Sequence, residues 1–159
     1  MTESALSADF IPRLVAEREA LTDFVMLLKT EQQALIEGQS DQLLALSELK
    51  TSAVQTLSKL ANSRKIDMAP HTAAIQAAGI TAWLQAHAPG SLSPWQEVQQ
   101  LAEQLQQLNR TNGMLIQTKL RLNQQALTVL HSAATNSNAL YGADGQPHLS
   151  SSGRILGTV

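Results

Sequence analysis

The 159-residue sequence contains no cysteine, which excludes disulfides and thiolate metal sites. Aromatic residues make up only 3% of a chain that is 43% hydrophobic, so the apolar content is mostly Leu, Ala, Ile and Val. Leu, Ala and Gln favour helices, whereas strands draw on aromatic and β-branched residues. The balance predicts an all-α protein. A net charge of −2 leaves no basic excess to neutralise phosphates, which argues against nucleic acid as a partner. It also argues against a polybasic membrane patch. No apolar run approaches the roughly 20 residues of a membrane span. Met1-Thr2-Glu3-Ser4-Ala5 has no basic segment and no continuous apolar core after it. It does not read as a signal peptide, and the expected location is the cytoplasm.

What is present is heptad spacing. The length suits one domain, expected as a helical bundle over residues 1–134 followed by a flexible tail over 135–159. Asp9 is placed to cap a first helix that runs to about Glu37, with Pro12 in its first turn, where a missing N–H costs nothing. Leu14, Leu21, Leu28 and Leu35 recur every seven residues. Phe10, Ile11, Phe24, Val25 and Leu27 widen the stripe, and Glu17, Arg18, Glu19, Asp23, Lys29 and Glu31 read as lying mostly off it. Gly38 is a stop signal. The short connection Gln39-Ser40-Asp41 implies an antiparallel second helix to about Asn62. Leu43, Leu46, Ala53, Leu57 and Leu60 form its stripe, with Lys50 as the polar member and Leu44, Leu49 and Val54 on the flanks. The fold class expected is thus an antiparallel helical hairpin plus a long C-terminal helix, an elongated bundle or coiled coil.

Pro70, Gly79, Pro89, Gly90 and Pro94 break up the middle of the chain. Short helices are expected at about His71–Ala78 and Thr81–Ala88, docked through Ile75, Ile80, Trp83 and Leu84. Ser93-Pro94-Trp95-Gln96 reads as a capping box with Pro at the first helical position. The helix it starts is expected to reach about Ala134, roughly 60 Å at 1.5 Å per residue.

That helix has two halves. Val98, Leu101, Leu105, Leu108, Asn112, Leu115, Lys119, Leu122, Ala126, Val129 and Ala133 form one seam along it, expected to pack on the hairpin. A second stripe lies one residue on. It is small or polar in the first half (Ala102, Gln106, Asn109, Gly113) and apolar in the second (Ile116, Leu120, Asn123, Leu127, Leu130, Ala134). The face therefore broadens after Gly113 and needs a further cover: the segment 70–88, a second copy, or a client helix. Asn112-Gly113 is a turn signal, yet Leu108 and Leu115 keep heptad phase across it, so a continuous helix is expected. In it Gly113 would allow close approach of a neighbour, and Asn109 and Asn112 would face the packing side.

Several residues resemble those of the FlgN family of flagellar export chaperones. They are Leu35-Ile36-Glu37-Gly38-Gln39 and Glu48-Leu49-Lys50 in the hairpin, and Leu108-Asn109-Arg110-Thr111-Asn112-Gly113-Met114-Leu115-Ile116 in the long helix. Ala126-Leu127-Thr128-Val129-Leu130 and Leu140-Tyr141-Gly142-Ala143-Asp144-Gly145 follow in the same order. The resemblance implies a cytoplasmic chaperone that binds hook-associated proteins of the FlgK and FlgL type. Such a chaperone blocks their premature assembly and delivers them to the flagellar type III export apparatus. It makes Asn109, Asn112, Gly113 and Leu115 the family motif. It maps partner binding onto Met114, Ile116, Leu120, Leu127, Leu130, Leu140 and Tyr141. The alternative is a self-assembling coiled-coil structural or adaptor protein, a homo-oligomer without a client.

No enzyme is expected, and no cofactor or metal. His71, His87, His131 and His148 are scattered, without the i, i+4 pair of a helical metal site or a HExxH pattern. His131 lacks the Lys-Gly that follows a phosphotransfer histidine. Glu17, Glu19 and Asp23 read as solvated helix charges, and Trp83 and Trp95 as packing residues. No phosphate loop or nucleophile elbow appears. Tyr141, alone in a polar tail, reads as a docking residue, on its own protein or on a client.

Overall fold

A computed structural model describes residues 9–73 and 76–140, the last five as backbone only. The described residues form α1 (Phe10–Glu37), α2 (Ser40–Met68), α3 (Ala77–His87), a 3-10 turn (Pro89–Ser91) and α4 (Leu92–Leu140). There is no strand among them. The contacts divide into two units, one through Ile116 and one from Gln117.

The heptad leucines organise the first unit. Leu14, Leu21, Leu28 and Leu35 are all buried, as are Phe10, Phe24 and Val25. Ile11 is exposed. Gly38 ends α1 with φ 74, in the left-handed region that a residue with a Cβ adopts at a cost. It lets Gly38 and Gln39 both donate to the Ala34 carbonyl, closing a Schellman-type end. Asp9 stands at the N-cap position without a side-chain capping bond and lies 3.8 Å from Arg13.

Helix α2 runs six residues past the expected end at Asn62. No breaker stands at 62, and its stripe continues through Arg64 to Met68, which is fully buried. Ala69 keeps helical backbone and donates to the Lys65 carbonyl, but Pro70 has no N–H to continue the ladder, and His71 and Thr72 turn back onto the Met68 carbonyl. Residues 71–73 are therefore not the start of a helix. Ile75 lies outside the described residues. Helix α3 is a single element that buries Ile80 and Leu84 with Phe10, Leu14, Leu21, Met68, Trp95 and Val98. Trp83 stacks on His87 and is tilted against His71, each at 4.8 Å between ring centres.

The start of α4 differs from the capping box expected at Ser93. The 3-10 turn from Pro89 to Ser91 leads straight into Leu92, because the fixed φ of Pro89 already sets a helical turn. The shift brings Leu92 against the core and leaves Ser93 exposed inside the helix. Pro94 remains within the first turn, where an N–H has no intrahelical acceptor. The helix passes unbroken through Asn112-Gly113 and continues beyond Ala134 to Leu140. Tyr141 and the rest of the tail, with His148, lie outside the described residues.

Candidate functional site: polar seams and an exposed apolar face on helix four

Two carboxylates correct the reading of α1. Glu17 and Glu31 are 5% and 7% exposed, not solvated charges off the stripe. They sit three residues after Leu14 and Leu28, at the second seam position of the heptad, where they alternate with Phe10 and Phe24. Each meets a cation in the stripe of α2. Arg64 donates to both Glu17 oxygens at 2.8 and 3.0 Å, and Lys50 lies 3.2 Å from Glu31. Glu17 and Glu31 are two heptads apart on α1, and Lys50 and Arg64 are two heptads apart on α2. Both pairs therefore fix the same antiparallel register. Arg64 also covers the Trp95 ring at 4.8 Å, and Trp95 donates to the Thr81 hydroxyl at 2.8 Å. One charge cluster thus links α1, α2, α3 and the start of α4.

Asn112 completes the second cluster. It is fully buried, and its amide nitrogen donates to the Leu28 carbonyl and to Glu31, each at 2.8 Å. Its side-chain oxygen is buried without a partner. An Asn in an apolar seam fixes register at some cost in stability. Asn109 does not share this role, for it is exposed, one turn before Asn112. Gly113 does not serve close approach either. A Cβ built there meets nothing within 4 Å.

The residues expected to bind a partner lie as follows. Met114 and Ile116 are exposed near the end of the first unit, at 63% and 44%. Two residues apart on a helix point about 200° from one another, so these two do not share a face. Leu115 is half-buried. In the second unit Leu120, Leu127 and Leu130 are exposed at 57%, 65% and 66%, on one side of α4. Of Leu140 only the backbone is described, and Tyr141 lies outside. The structure adds Leu122 and Val129, exposed at 55% and 67%. Both belong to the seam expected to pack on the hairpin along its whole length, and here they are uncovered. With Ala126, Ala133 and Ala134, all exposed, the two stripes merge into an apolar face about half the helix circumference wide. Lys119 and Asn123 sit within it, one turn apart. Among the described residues no helix is long and apolar enough to cross a membrane.

Against known proteins, a family model described as FlgN protein matches residues 1–148. The flagella synthesis protein FlgN of Salmonella typhimurium is 32% identical over 137 residues, covering 84% of this chain and 86% of that one. Its namesake in Escherichia coli K12 is 34% identical over 130 residues, 79% and 80% of the two chains. That of Yersinia enterocolitica is 32% identical over 135 residues, 80% and 81%. No solved structure matches the chain significantly. With a family model matched over nearly all of its length, and relatives more than 30% identical over about four fifths of both chains, the chain belongs to the FlgN family.

Proposed function

We propose that this protein is a cytoplasmic export chaperone, not an enzyme. In this reading it holds hook-associated proteins of the FlgK and FlgL type unassembled and passes them to the flagellar type III export apparatus. The observation that carries the reading is the run of uncovered large apolar side chains in α4. Ile116, Leu120, Leu122, Leu127, Val129 and Leu130 are all at least 44% exposed. Patches of this kind mark interaction sites on soluble proteins. Burial of four such side chains contributes on the order of 6–10 kcal/mol before ordering costs. That is enough to hold an amphipathic client segment. The names of the relatives place them in flagella synthesis, which agrees with such a client. The binding residues proposed are Ile116, Leu120, Leu127 and Leu130, extended by Leu122 and Val129, with Met114, Leu140 and Tyr141 at the margins.

Co-purification with FlgK- and FlgL-type proteins tests this. The full chain is expected to retain a client, and Leu120→Asp or Leu127→Asp is expected to lose it while the circular dichroism spectrum keeps its helical content. If neither form binds and the full chain sediments as a stable oligomer, the self-assembling coiled coil is the correct reading instead.

A further inference from the structure

The exposed face of α4 has a charge pattern as well as an apolar one. Twelve of the thirteen acidic residues precede position 104, and none lies between Glu103 and Asp144. The charges in that interval are Arg110, Lys119 and Arg121. Arg121 stands on the polar side of the helix, about 160° from Lys119. Lys119 sits midway across the apolar face of the second unit, with Leu122 and Ala126 to one side and Leu120 and Leu130 to the other. It forms no ion pair among the described residues.

The same molecule shows how a cation in an apolar seam is met. The other two, Lys50 and Arg64, each face a buried glutamate at a seam position of the neighbouring helix. An ammonium covered by apolar surface without a counter-charge is strongly unfavourable, so whatever covers Lys119 must supply one.

We infer that the helix seated on this face carries a carboxylate in its own apolar seam, opposite Lys119. The inference rests on the client-binding reading above and names the chemistry of the client segment. The segment is an amphipathic helix whose apolar stripe is interrupted by one Asp or Glu, in the manner of Glu17 and Glu31 in α1. A second copy of this face supplies no such group, since no acidic residue lies between Glu103 and Asp144. A lipid surface fits less well, because helices lying in a bilayer interface keep their cations on the polar face.

The test uses the full chain and purified FlgK- and FlgL-type proteins in titration calorimetry, with Lys119→Glu, Lys119→Met and Leu127→Asp. Circular dichroism checks that each variant keeps the parent helicity. Lys119→Glu is expected to weaken binding by about thirtyfold or more. Reversing the client's seam carboxylate to Lys is expected to restore it. Lys119→Met is expected to lose the discrimination between the client and its carboxylate-to-amide variant. If Leu127→Asp weakens binding while Lys119→Glu and Lys119→Met stay within about twofold of the parent, the charge inference is wrong and the binding face stands. If Leu127→Asp binds like the parent, the face itself is wrong and the inference falls with it. Tight binding to phosphatidylglycerol vesicles that Lys119→Glu abolishes, with client binding unchanged, overturns it in favour of a lipid surface.

Discussion

Helix α4 passes through two environments, and one type of residue behaves differently in each. In the first unit its seam residue Val98 is 3% exposed, Asn112 is fully buried, and Leu101, Leu105, Leu108 and Leu115 are half-buried. In the second unit the residues that continue the same seam, Leu122 and Val129, are 55% and 67% exposed. The heptad pattern is unchanged from one to the other. What differs is whether another helix lies against it. Apolar periodicity therefore states which side of a helix is ready for burial, and the neighbours decide whether burial occurs.

The contrast can be broken or sharpened by mutation. The largest effect is expected from Glu17→Ala, which leaves the mostly covered Arg64 without its counter-charge. Breaking such a pair costs about 3–5 kcal/mol, read as a lower urea midpoint. The double change Glu17→Leu with Arg64→Met is expected to recover most of that loss, since well-packed apolar replacements of buried pairs are often neutral or better. Leu28→Ala removes a fully buried side chain and is expected to cost about 2–4 kcal/mol by the same measurement. Gly113→Ala is expected to act in the opposite direction. The added methyl meets nothing within 4 Å, and Ala is favoured over Gly in a helix by about 1 kcal/mol, so the thermal midpoint rises. The smallest effect on stability belongs to Leu127→Ala in the second unit, expected within about 0.5 kcal/mol of the parent. A cost there as large as that of Leu28→Ala shows that the second unit is packed core, and the proposed binding face fails.

Much of the fold was legible in the sequence. The leucines every seven residues, the stop at Gly38 and the unbroken phase across Asn112-Gly113 each follow from local geometry, and each reappears in the structure. The buried charges were legible in principle. Phe10, Glu17, Phe24 and Glu31 recur at seven-residue spacing, and Lys50 stands in the stripe of α2. A glutamate is read as solvated unless its partner is visible, however, and Arg64 and Lys50 become partners only across an antiparallel pair of helices. The early start of α4 was hidden for another reason, because Pro89 and Ser93-Pro94 offer competing starts. The turn that buries Ser91 and brings Leu92 to the core decides between them. The reach of the seam was readable from length, since α1 has 28 residues and α4 has 49. A shorter helix cannot line the whole of a longer one.

By itself, the sequence determined the class of fold, the helices and their apolar faces, because helix propensity, capping and 3.6-residue periodicity act within a few residues of one another. It also determined the resemblance to the FlgN family, which the family match bears out. Only the tertiary structure decided which parts of those faces are covered. It turned Glu17 and Glu31 into register-setting core residues, separated buried Asn112 from exposed Asn109, and left Leu122 and Val129 open beside Leu120, Leu127 and Leu130. The reason is that burial is a property of pairs of surfaces, and the second surface of each pair lies far away in the chain or, for the end of α4, in the client proposed to bind it.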